Sequence, residues 1–251
     1  MKKTIFTLSL SIFVFALIIS SCKKSDPTPS GSSSTTGNTA TNTGNPSGTY
    51  NGFLYAAYAV SGTTSINSCV AAFVNTPVAF NPSTPFVATA TINAVYVNGT
   101  QLLYNTNNDY SYTTLSSLGF PPASWIVNGA GTIPSFTYSN TNSMPIFSGL
   151  SSFPNTISKA QNLVIPITGA SGYDQIEITV QDSLNNSTTV YVASGTTSVT
   201  FLKSSLINLT NCNVASIQIN LLKYNPQSIN GKKILFALIY ATSKDNIVLH
   251  N

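Results

Sequence analysis

Gln175-Ile176-Glu177-Ile178-Thr179-Val180-Gln181 is the stretch whose reading decides the fold. Ile176, Ile178 and Val180 occupy alternate positions, with Glu177 and Thr179 between them. Side chains of a strand point to opposite faces in turn, so this period of two predicts a half-buried β-strand with Glu177 on its solvent face. Ile217, Ile219 and Leu221 repeat the pattern against Gln218 and Asn220. A composition rich in Thr, Tyr, Asn and Ser favours strands and turns over helices, and the class predicted is all-β.

Outward from these two strands the signal continues. Residues 163–167, 188–193, 198–202 and 234–242 read as further strands, the Ile217 strand runs over 215–224, and Asn225-Pro226 and Asn230-Gly231 are turns before the last. Lys203 to Leu209 has room for one helical turn. Six or seven strands in about 105 residues is the count of an immunoglobulin-like sandwich. Upstream, 52–60, 68–74, 86–97, 110–113, 124–127 and 135–138 read as shorter strands broken by Gly, Pro and Asn. The best hairpin signal is Asn98-Gly99 between Val95-Tyr96-Val97 and Leu102-Leu103-Tyr104, because both turn positions tolerate positive φ. The expectation is two tandem β-sandwich domains, residues 49–143 and 144–251.

Composition supports that division. Charged residues are 6% of the chain, against about 25% in an ordinary soluble domain. Asn, Thr, Ser and Tyr must therefore build the polar surface, and these suit strands and turns. Between residues 50 and 143 the one charged side chain is Asp109, whereas Lys159 to Asp245 hold six lysines and four acids. There is no arginine, which argues against nucleic acid as a partner, since phosphate neutralisation needs clustered Lys and Arg. Of the three cysteines, Cys69 and Cys212 are expected as free, largely buried thiols.

The N-terminal region has a different character. Lys2 and Lys3 precede an apolar run from Ile5 to Ile19 of secretory-signal length, too short and too rich in Ser and Thr to span a bilayer comfortably. It ends Ile19-Ser20-Ser21-Cys22. That sequence resembles the lipobox of bacterial lipoproteins, in which the cysteine thiol is diacylated and the preceding peptide removed. The resemblance implies a signal peptide at 1–21 and a membrane anchor at Cys22. Residues 22–48 are Ser, Thr, Gly, Asn and Pro with almost no apolar side chain, which predicts a flexible tether. Cys22-Lys23-Lys24-Ser25-Asp26 is similar to the region after the lipid cysteine in Bacteroidota lipoproteins. The order of the two β regions resembles two-domain lipoproteins of the same group, through Val97-Asn98-Gly99, Trp125-Ile126-Val127-Asn128-Gly129 and Ile133-Pro134-Ser135-Phe136. That likeness implies the bacterial outer membrane and exposure at the cell surface, and it implies no activity.

Candidate chemistry is sparse. His250 is the single histidine, beside the C-terminus, where chains commonly fray, so a nucleophile–histidine pair has little to build on. No cysteine–histidine cluster offers a zinc site, no phosphate loop is present, and no cofactor is expected. Asp174, Glu177 and Asp182 are the one acidic cluster; solvation of a surface explains them, with calcium binding and a remote hydrolase as lesser alternatives. Lys232-Lys233 reads as ordinary solvation at a strand start. Phe120-Pro121-Pro122-Ala123-Ser124-Trp125 places two aromatics about a rigid turn, so Phe120 and Trp125 are either a sugar-stacking pair or, for Trp125, the core tryptophan of the first sandwich. Asp182-Ser183-Leu184 resembles the O-glycosylation sequon of exported Bacteroidota proteins, with Ser183 as acceptor in an expected hairpin loop. The function expected is a non-catalytic, lipid-anchored envelope protein for attachment, display or assembly. Its alternative is a glycan-binding surface protein assisting polysaccharide capture. Partners are the membrane through Cys22, and a glycan or another envelope protein.

Overall fold

The computed structural model describes residues 46–82 and 86–251; the expected signal peptide, Cys22 and nearly all of the tether lie outside them. Within these bounds the chain is all-β. The strands are β1 (Thr49–Ser61), β2 (Thr64–Ala79), β3 (Ala94–Val97), β4 (Thr100–Gln101), β5 (Leu103–Tyr104), β6 (Tyr110–Thr114), β7 (Ala123–Asn128), β8 (Phe136–Asn140) and β9 (Ile146–Phe147). They continue as β10 (Thr156–Ser158), β11 (Leu163–Pro166), β12 (Ala170–Ser171), β13 (Gln175–Gln181), β14 (Ser187–Ala193), β15 (Ser198–Phe201), β16 (Cys212–Ile229) and β17 (Lys232–His250). Lys203–Leu206 makes the expected helical turn, α1, before β16.

One nine-stranded sheet organises the rest. Its order is β14-β13-β16-β17-β1-β2-β6-β5, with β10 added beside β17. The expected division at 143/144 does not interrupt it: β1 pairs in parallel with β17, from Gly52↔Ile234 to Val60↔Thr242. The cause is strand length. The expected strands 215–224 and 234–242 are in fact 18 and 19 residues long, joined by Asn230-Gly231 with φ of 51° and 76°. At about 3.3 Å per residue, β17 extends for roughly 60 Å. Asn225-Pro226 does not turn; Pro226 pairs with Leu235 inside the ladder. A proline is tolerated there because pairing of β16 with β13 ends at Leu222, so beyond it β16 is an edge strand.

Two layers cover one face of this sheet. The four-stranded sheet β4-β3-β7-β8 closes a core holding Leu54, Phe73, Val95, Trp125, Val127 and Ile133. Ile234, Phe236 and Leu238 of β17 belong to that same core, so the C-terminal hairpin completes the N-terminal sandwich. The pairs β11–β15 and β9–β12 lie over the second core, which gathers Ile165, Ile176, Ile178, Phe201, Ile217, Ile219 and Ile247. The opposite face carries a third cluster, with Phe53, Tyr55, Val70, Leu222, Tyr224, Leu235 and Ile239, against which Phe80 and Phe86 pack.

Turn chemistry follows the sequence at Asn98-Gly99, where φ values of 47° and 80° close a two-residue hairpin between Val97 and Thr100. Beyond it the chain changes sheets: Leu102 still donates to Val95 O at 2.9 Å, whereas Leu103 and Tyr104 pair with β6. The expected strand 86–97 begins only at Ala94. Its first part is irregular yet tied down, since Thr89 N and Ala90 N both donate to Phe73 O, at 2.9 and 3.0 Å.

Gly129 ends β7 where the chain folds back on itself. A Cβ there would lie 2.2 Å from Ile133 O and 2.4 Å from Pro134 C, both backbone atoms that cannot swing aside. Gly129→Ala should therefore lower stability by roughly 4 kcal/mol, the range of a severe single substitution. Gly231→Ala, where nothing lies within 4 Å and the cost is a positive φ alone, should lose only about 1 kcal/mol. Chemical denaturation of the two variants checks the order, and equal losses would contradict it.

Candidate functional site

The register of β13 builds the site. Glu177 lies opposite Tyr191 of β14 on one side and opposite Asn220 of β16 on the other. Their side chains share its face. Asn220 Nδ2 donates to Glu177 Oε2 at 3.0 Å, and the Tyr191 hydroxyl is 3.4 Å from Oε1 and 3.2 Å from Pro82 O. Two residues before Glu177 on the same face, Gln175 Oε1 accepts from the Tyr224 hydroxyl at 2.6 Å.

Glu177 is only 6% exposed, which corrects its expected place on a solvent face. The alternation holds, but the side opposite Ile176 and Ile178 is buried too. Burial pushes the carboxyl up to about 7, against the smaller opposing effects of the Asn220 and Tyr191 hydrogen bonds. Above it opens a cleft of about 550 Å³, mouth included, lined by Phe53, Tyr55, Val70, Phe80, Phe86, Leu222 and Ile239, with Glu177 the acid among its lining residues.

The other two acids have separate structural duties. Asp174, at the mouth of β13, pairs with Lys223 Nζ at 2.8 Å and accepts from Tyr224 N at 2.8 Å. Asp182 is 4% exposed and folds the β13–β14 loop about itself. Its carboxylate accepts from Leu184 N, Asn186 N, Asn186 Nδ2 and, across the sheet, Thr210 N, at 2.7–2.9 Å. Burial acts to raise this carboxyl, yet the four hydrogen bonds outweigh it and hold the group down at about 2. Surface solvation therefore accounts for none of the cluster fully. Among the described residues, no three His, Cys, Asp or Glu side chains are grouped to hold a metal ion.

Ser183 is exposed in the loop that Asp182 shapes, between β13 and β14 as expected. Trp125 is 1% exposed in the first core, so its ring has no face to offer a sugar; Phe120 is half-buried against the same core. Here the core-tryptophan reading holds, and the pair does not form a stacking platform. His250 is exposed but not frayed: it ends β17 paired with Ser158 of β10. Cys69 is buried, Cys212 half-buried, and both are free thiols; burial pushes the Cys69 thiol far up. Tyr191, Asn220, Gln175 and Tyr224 escaped the sequence reading. The available signal was a glutamate in a strand whose neighbours on both sides carry polar groups in register.

The two acids predict opposite pH responses. For Glu177 the folded state keeps its proton up to about 7, whereas an unfolded glutamate loses it near 4.5. Stability should fall as pH rises through that window, by on the order of 3 kcal/mol in all. Glu177→Gln removes this loss and keeps both hydrogen-bond partners. Urea unfolding should find the variant more stable than the parent at pH 8 and equal to it near pH 4. For Asp182 the folded value is depressed, so its contribution is present above the ordinary 3.8 and disappears as pH falls towards 2. Asp182→Asn should accordingly be destabilised at pH 7, with the gap closing in acid. A Glu177→Gln curve parallel to the parent at every pH would contradict the assignment.

No family model matches the chain, and no curated protein matches it in sequence.

Proposed function

We propose that the protein is a non-catalytic, lipid-anchored scaffold of the bacterial outer membrane, displayed at the cell surface and used for attachment or assembly. On this reading Cys22 carries the lipid, the tether spaces the β-structure from the bilayer, and Ser183 is a glycan acceptor on an exposed loop. The two covers of the large sheet are tandem immunoglobulin-like sandwiches that share the β16–β17 hairpin.

The observation that supports the reading is the placement of β1. It is the strand through which tension from an N-terminal anchor enters, and it is clamped between β17 and β2. A pull along β1 loads the hydrogen bonds of both ladders at once, in shear, instead of opening them singly from an end. Extraction of β1 then requires many bonds to fail together. The acids weigh the same way, because Asp174 is engaged by Lys223 and Asp182 by Thr210 N and its own loop.

Two measurements test it. Metabolic labelling with a fatty acid should mark the protein in its bacterial host and leave Cys22→Ala unlabelled; label retained by the variant would overturn the anchor. Single-molecule pulling between the N- and C-termini should give a much higher unfolding force than pulling between Ser183 and the C-terminus, where β14 peels from the sheet edge. Equal forces in the two directions would remove the mechanical support for attachment.

A further inference from the structure

The third apolar cluster holds more than packing requires. Its cleft is open at the mouth, and its walls are aromatic and aliphatic, with Phe53 and Phe80 rings 5.0 Å apart and Phe86 6.3 Å from Phe53. Amid this apolar surface lies Glu177, whose hydrogen-bond partners Asn220 and Tyr191 are both neutral. A glutamine would keep those two partners and avoid burying an ionisable group. A carboxyl that costs stability in a cleft is the kind of group a binding site retains.

We propose that the cleft above Glu177 binds a small primary amine with an apolar body, its ammonium seated on the Glu177 carboxylate and its body against Phe53, Phe80 and Phe86. The chemistry follows from what the site lacks and what it offers. A buried carboxylate gains most from a cation, and Lys223, the charged neighbour on β16, is committed to Asp174. Aromatic faces add attraction for the same positive charge. An anion would meet the carboxylate as a like charge, and a neutral alcohol would gain one hydrogen bond without the ionic attraction.

Binding has a proton consequence. Glu177 is held near 7, so an ammonium entering the cleft drives it to the ionised form and releases a proton when the carboxyl was protonated. Affinity for the amine should rise as pH increases from 6 to 8. The other titratable groups about the acid are Asp174, already ion-paired, and Tyr55, Tyr191 and Tyr224; burial raises Tyr55 and Tyr224 well above their ordinary range. The inference does not depend on the envelope reading, because it rests on the cleft alone.

The experiment titrates the purified protein with 2-phenylethylamine and, separately, with its neutral isostere 2-phenylethanol, by calorimetry at pH 6 and 8. The amine should bind at least tenfold tighter than the alcohol at pH 8, with the margin shrinking at pH 6. Glu177→Gln, which should fold at least as stably as the parent, should lose that margin while keeping the alcohol's affinity. Phe86→Ala should weaken both probes together. Equal affinities in the parent, no binding of either probe, or a margin that survives in Glu177→Gln would each overturn the proposal.

Discussion

The parallel ladder between β1 and β17 is the constraint on which the structure depends. It joins Gly52 to Ile234 and Val60 to Thr242, so each pair closes a loop of about 180 residues. Everything between must leave the sheet and return to it without crossing the ladder. The intervening chain does so repeatedly: β3–β4 and β7–β8 build the cover over Trp125, and β9, β11, β12 and β15 lie over Ile178. Gly52 marks the point where this is tightest. A Cβ there would lie 2.8 Å from the Phe73 ring and 3.1 Å from Ile234, so only glycine lets the two side chains meet over the strand. Such long-range pairing cannot reward the chain early in folding, so the local hairpins Asn98-Gly99 and Asn230-Gly231 are the natural first structures.

How much of this was legible divides along physical lines. Local rules worked: both Asn-Gly hairpins, the alternation of β13 and the helical turn at Lys203 follow from propensity and period. The merging of two expected domains into one sheet was not legible, because no local pattern announces which distant strand will be a neighbour. The ends of β16 and β17 were misplaced for a related reason. Asn225-Pro226 has the composition of a turn, and its survival in a strand depends on β13 having ended alongside it. Short strands such as β9, β10 and β12 owe their existence to partners and not to their own two or three residues.

Glu177 shows the same limit at the level of one side chain. Period-two reading assigned its face correctly, and it then assumed that one face of a sheet meets water. That assumption holds for a two-layer sandwich. It fails where Phe80 and Phe86 fold over the far side and turn an outer face into an inner one. The residues that complete the site, Tyr191 and Asn220, become neighbours only through register, and register is a property of three strands together.

Scarcity of charge gives the placement of each acid its meaning. In a chain with 6% charged residues, four of the acids are tied into the fold by hydrogen bonds. Asp182 gathers four donors and defines a loop. Asp174 ties β13 to β16 through Lys223 and Tyr224 N. Asp109 takes the Asn105 amide at 2.6 Å and closes the β5–β6 hairpin. Asp174 and Asp182 hold backbone N–H groups, and Asp174 a cation besides, so their removal would cost order in the loops around them. Glu177 holds neither. Its partners are neutral side chains on strands already fixed by their ladders, and its burial works against the folded state above neutral pH. A sheet already clamped by the β1–β17 ladder tolerates that cost, which is how one strained polar group can persist in an otherwise apolar cleft.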